Sequence, residues 1–112
     1  MNIEKLYHWS PRKNRESILR TGLKLHYPPT LNSKAASSIS CSVCVSHAWE
    51  HSAECSKISG TWDLYEVTVS PTDDIKILEF WGSSGMGEVL IRNEVKPENL
   101  KYVASRENEA IS

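Results

Sequence analysis

The chain lacks a cysteine framework. Three cysteines in 112 residues are an odd number, which fits a reducing compartment better than a disulfide-stapled fold and leaves at most one pair. It also lacks a strong charge of either sign. A formal net charge of -1 argues against gripping nucleic acid by bulk electrostatics and leaves room only for a local basic patch. No uninterrupted apolar run approaches the length of a bilayer crossing, and the opening MNIEKLYHWSPRKNRESIL has no basic-then-apolar leader pattern. These absences predict a soluble, cytoplasmic protein with no membrane partner. Internal repeats and low-complexity tracts are missing as well. What remains is an ordinary globular balance, 39% hydrophobic and 24% charged, in a chain long enough for one core and too short for two. Residues 1–112 therefore read as a single domain.

Read along the chain, Leu6–His8 is a short strand end. SPRKNRESILRTG has the marks of a helix, with Ser10 as N-cap, Pro11 in the first turn and Gly22 as the stop. Pro11, Arg15, Ile18 and Leu19 share one stripe of that helix, so Arg15 is expected to face inward and to need a partner. HYPPTLNSKAASS is a long loop by composition. CSVCVS alternates like a short strand, and HAWEHSAECSKI follows with helical spacing, its small residues allowing close approach to a sheet. LYEVTV, IKILEF, EVLIR and LKYVAS read as strands, WGSSGMG as a flexible loop, and RENEAIS as a fraying tail. Strands dominate, with two helices early, so the fold class is α+β rather than an alternating parallel sheet.

Cys41, Cys44, His47, His51 and Cys55 form C-x2-C-x2-H-x3-H-x3-C, residue types that bind zinc. On an extended CSVCVS, however, Cys41 and Cys44 point to opposite faces, and no second half-site exists elsewhere in the chain. Buried thiols and ordinary histidines are the preferred reading, with no metal.

Taken together, three blocks resemble the ADP-ribosyltransferase superfamily. YHWSPRKNRESILRTGL is similar to its first strand and helix, with His8, Ser10, Ile18, Leu19, Gly22 and Leu23 at the matching positions and Asn14 where DarT-type members carry asparagine. VCVSHAWEHSAECSKISGTWDLYEVTVSP resembles the second block, a strand ending in Ser or Thr, a helix, and a strand reading Tyr-Glu-Val. GMGEVLIRNEVKPENLKYV looks like the catalytic strand, opening on Glu88. The resemblance implies two small antiparallel-rich sheets around a cleft, NAD as co-substrate, and a macromolecular acceptor, protein or nucleic acid. By the same resemblance His8 holds a ribose hydroxyl, the Trp9 backbone clamps the nicotinamide amide, and Ser10, Asn14 and Ser46 belong to the nucleotide site. The central tyrosine of many members is missing; Ser46 matches a Ser or Thr found there, and Trp49 is a candidate for the missing ring. Met86 stands where arginine-modifying members carry Glu or Gln, which disfavours arginine as acceptor.

The chemistry explains the residue types. Cleaving the bond between nicotinamide and ribose passes through a state with oxocarbenium character, and a carboxylate such as Glu88 can bind the 2'-hydroxyl and stabilise the charge. WGSSGMG could close over the site. Arg15 could meet the pyrophosphate or pair with a carboxylate such as Glu66 or Glu79. YHW could equally be a half-buried aromatic cluster, and Trp49, Trp62 and Trp81 are expected to pack the core. The sequence thus supports an NAD-dependent mono-ADP-ribosyltransferase or, as the alternative, an inactive module of that fold binding NAD, ADP-ribose or a partner protein. RNA 2'-phosphate removal ranks below both, since no basic groove is visible.

Overall fold

A computed structural model describes residues 4–25, 38–54, 56–78 and 88–109. Among these the order is β1 (Lys5–Pro11), α1 (Arg15–Thr21), β2 (Ile39–Cys41), α2 (Val45–Trp49), β3 (Gly60–Thr68), β4 (Ile75–Leu78), β5 (Glu88–Ile91) and β6 (Leu100–Asn108). The strands form two three-stranded antiparallel sheets, ordered β1-β3-β6 and β2-β5-β4, with two short helices. This is the expected α+β class. Backbone bonds between Tyr7 and Ser42, 2.8 and 3.1 Å, join the sheets where β2 meets β1.

The central strand of the first sheet, β3, is buried on both faces and so departs from simple alternation: Trp62, Asp63, Leu64, Tyr65 and Val67 are all buried, whereas β6 at the edge is largely exposed. On one side, Leu6, Tyr65 and Val67 pack with Ile18 and Leu23 against Ile39, Cys41, Val89 and Ile91 of the second sheet. On the other, Trp9, Trp62 and Leu64 pack against Ala48, Trp49 and Ala53. The small alanines permit the close approach that their size predicts.

Three local expectations are corrected. Ser10 does not cap a helix: it and Pro11 end β1, paired with Asp63 and Trp62. A 3-10 turn, Arg12–Asn14, then leads into α1, whose N-cap is Asn14. The ladder to β3 satisfies the Ser10 backbone and outweighs its capping preference. The strand expected in CSVCVS lies earlier, at Ile39–Cys41, because the Ser42 hydroxyl accepts the Cys44 backbone N–H (3.2 Å) and turns the chain into α2. Arg106–Asn108 do not fray but continue β6, and the Asn108 amide donates to the carbonyls of Ala53 (2.9 Å) and Ile58 (2.8 Å).

Gly22 does stop α1. Its φ is +84°, and a Cβ there would lie 1.9 Å from the Val95 carbonyl oxygen, so only glycine fits. Leu19, expected inward, is 48% exposed. An extra residue, Val103, interrupts the β3–β6 ladder, with Leu64 opposite Ala104 and Tyr65 opposite Tyr102. No helix among the described residues is long and apolar enough to cross a membrane. Met86, Trp81, Glu79 and the segments 26–37 and 79–87, with the end of IKILEF, lie outside the described residues.

Candidate functional site

Strand alternation sorts the YHWS motif into two destinies. Leu6, His8 and Ser10 share the register positions of Val67, Tyr65 and Asp63 on β3, facing α1 and the second sheet; Tyr7 and Trp9 face the other way. A cleft of about 410 Å³ opens on the first side. Its walls come from β1 (His8, Ser10), from α1 and its flanks (Asn14, Ser17, Ile18, Gly22, Leu23, Lys24), and from the chain around β2 (Ser38, Ile39, Ser40). Most of the polar groups are uncharged hydroxyls and amides, suited to hydrogen-bonding a polyhydroxylated ligand.

The half-buried imidazole of His8 donates from Nδ1 to the backbone oxygen of Ser40, 2.8 Å away. Burial pushes its pKa down, and the hydrogen bond to Ser40 offsets this only in part. The ring is therefore neutral at pH 7, with Nε2 as an acceptor. Ser40 in turn donates its hydroxyl to Oε2 of Glu88. Antiparallel pairing explains that contact: Ser40 lies opposite Leu90, and Glu88 is its diagonal neighbour on the same face of the ladder. One serine thus connects the imidazole from β1 with the carboxylate from β5. Glu88 stands behind Ser40 and is not itself in the cleft lining.

Ser10, almost fully buried, accepts a bond from the Asn14 side-chain amide (3.2 Å), and both line the cleft. The Ser10 hydroxyl proton is then free to point elsewhere. Arg15 does not line the cleft. Its Nε and Nη2 bond both oxygens of Asp63 at 2.9 Å, so its partner is a carboxylate, though neither Glu66 nor Glu79. Asp63 is fully buried and also takes bonds from Ser105 (2.8 Å) and Arg12 (3.5 Å). Burial alone would raise its pKa; the Arg15 and Ser105 hydrogen bonds and the charges of Arg15 and Arg12 together hold it below the usual carboxylate value.

Two further expected positions fall away from the cleft. Ser46 is exposed in the first turn of α2, 3.1 Å from the Cys44 sulfur, because the strand that was to end on it lies earlier. The Trp49 ring does not line the cleft. It is 3% exposed, edge-on to Trp9 (4.7 Å) and Trp62 (6.4 Å), with the Arg106 guanidinium 4.2 Å from its ring centre. The Trp9 side chain belongs to that cluster too, its indole donating to the Val45 carbonyl at 3.2 Å, which leaves only its backbone near His8. Trp62 packs as expected.

Among the described residues no three metal-ligating side chains gather. Cys41 is buried at the end of β2, where burial and then the charge of Glu88 push its thiol pKa up. Cys44 is at the N-cap of α2, its pKa lowered chiefly by the Ser46 hydroxyl and then by backbone N–H groups. Cys55 lies outside the described residues.

Ser40, Ser17, Lys24 and Asp63 escape a reading based on motifs. The period-two pattern of SISC, with Ser38 and Ser40 on one face, carries the signal for Ser40. A lone aspartate within the β-forming run TWDLYEV carries it for Asp63. Against known proteins, the chain matches no family model, no curated protein and no solved structure.

Proposed function

We propose that this chain is an NAD-dependent mono-ADP-ribosyltransferase that modifies a macromolecular acceptor, protein or nucleic acid, in the cytoplasm. The observation that carries this reading is the link from His8 through Ser40 to Glu88, beside a cleft lined by hydroxyls and amides. In the reaction, the bond between nicotinamide nitrogen and ribose C1' breaks, its electron pair leaving with neutral nicotinamide. A bond from the acceptor nucleophile to C1' forms, and the acceptor's proton is lost. Positive charge builds on the ribose, and a fixed carboxylate nearby stabilises it.

The Ser40 hydroxyl orients Glu88 through Oε2; in this reading the ribose seats at the Ser40 edge of the cleft, past the described lining, where Oε1 takes its 2'-hydroxyl. Neutral His8 accepts a second ribose hydroxyl at Nε2 because its Nδ1 proton is committed to Ser40. Ser10 offers a proton to the nicotinamide amide or ribose oxygen, steered by Asn14. The free, buried thiol of Cys41 accords with a reducing compartment.

One observation favours a binding module of this kind without catalysis: among the described cleft-lining residues the His8 imidazole is the sole aromatic ring, so no further ring is there to stack on nicotinamide. Incubation with labelled NAD and candidate acceptors, alongside Glu88→Gln, separates the two readings. For the enzyme, Glu88→Gln keeps NAD binding and lowers transfer by about 10²–10³-fold, the scale of losing one preorganised electrostatic contact. Binding with neither transfer nor nicotinamide release identifies the module. A wild-type chain that does not bind NAD overturns the enzyme, and one that binds neither NAD nor ADP-ribose overturns the nucleotide-binding module as well.

A further inference from the structure

Arg15, the side chain expected to meet a pyrophosphate, is occupied: two of its nitrogens bond Asp63 at 2.9 Å, and it does not line the cleft. The described cleft walls carry one other strongly basic group, Lys24. It follows Gly22 and Leu23, where the chain leaves α1 and is pinned to Val95 by two backbone bonds of 2.9 Å. The stem of Lys24 is thus anchored while its ammonium end is loosely held. Among the described residues it pairs with Glu94, at 3.6 Å, and the two side chains are 47% and 55% exposed. An exposed pair at that distance is weak and readily exchanged for a better anion.

His8 and Ser40 enter the lining from β1 and β2, and Lys24 enters it from the segment after α1; the other polar side chains of the described lining are neutral serines and Asn14. A ligand that meets both the imidazole and Lys24 therefore needs hydroxyls for the one and negative charge for the other.

We infer that Lys24 is the residue that binds the phosphates of the nucleotide, exchanging Glu94 for the ligand when the cleft fills. This deepens the proposed function and rests on its reading of the cleft as a nucleotide site. Arg15 is a positioning residue, holding α1 on β3 through Asp63. The ligand class that follows is a ribonucleoside carrying at least one phosphate, and the unphosphorylated nucleoside gains nothing from Lys24.

Calorimetric titration of the full chain with NAD and with nicotinamide riboside, in the wild type and in Lys24→Ala, Lys24→Arg and Glu94→Gln, tests this. Lys24→Ala weakens NAD binding about tenfold, the scale of one charge-assisted contact, while riboside affinity stays within about twofold. Lys24→Arg retains most of the NAD affinity, and Glu94→Gln leaves it equal or tighter. Because Lys24 is exposed, thermal melting should show all three variants folded. If wild type binds both ligands and Lys24→Ala binds NAD equally well, or loses both ligands alike, the inference falls alone. If wild type binds neither, the nucleotide reading falls and takes the inference with it.

Discussion

His8 and Trp9 are adjacent in sequence and belong to opposite halves of the molecule. His8 joins a wall of polar groups beside an open cleft, with neighbours that are hydrogen-bonded and in part ionic. Trp9 joins three-ring packing on the far side of the same sheet, sealed by alanines. The difference shows that a motif read as a unit is divided by the pleat. Each second residue is free for chemistry because its neighbours carry the packing.

The comparison can be broken most forcefully on the packed side. Trp49→Ala should cost about 3–5 kcal/mol of stability, as expected for deleting a large core aromatic, read as a lower urea midpoint. The residual folded fraction should keep the NAD affinity of the wild type. A specific loss of nucleotide binding at unchanged stability would return Trp49 to the ligand site.

On the cleft side, Asp63→Asn should cost less, about 1–3 kcal/mol, because the Arg15 guanidinium it leaves is partly open to water. Its signature is in pH. The folded Asp63 carboxyl titrates below its ordinary value of 3.8, so the unfolded chain takes up that proton first on acidification. The stabilisation is complete above about pH 4 and is lost as pH falls through the lower folded value. Urea titrations from neutral pH downward should show a shallower acid limb in the variant. An unchanged limb would remove Asp63 from the balance.

The smallest effect sharpens the contrast within the cleft side itself. Tyr65 is fully buried and its hydroxyl has no partner among the described residues, and burial followed by the charge of Asp63 pushes the phenol up to about 12. Tyr65→Phe should therefore be neutral or stabilising by less than about 1 kcal/mol in thermal melts, since it removes an unsatisfied polar atom without opening a cavity. A clear destabilisation would mean that the hydroxyl is satisfied after all.

Much of the strand order was legible because alternation and turn residues report on backbone pairing directly: LKYVAS lies within β6, and LYEVTV and EVLIR match β3 and β5 but for their last residues, Val69 and Arg92. Gly22 was legible for the same local reason. The start of α1 was not, since Ser10 and Pro11 look like a helix start until β3 is there to pair with them. At the site, His8 and Glu88 are joined by Ser40, a residue whose role depends on a diagonal contact between strands far apart in sequence. Ser46 was misplaced by the same missing information, the point where β2 stops. Inward Arg15 was readable from its stripe, whereas its partner was set by a cross-sheet arrangement that no short motif contains.

The supernumerary Val103 has an effect beyond local twist. In an unbroken strand, residues 102 and 105 would project in opposite directions; with one residue looped out, Tyr102 stacks on Arg15 (4.7 Å) while Ser105 reaches Asp63. Shortening β6 by that single position would therefore act as a phase change, rotating one of the two out of the cluster and loosening the clamp by which the rim of the cleft is attached to the sheet.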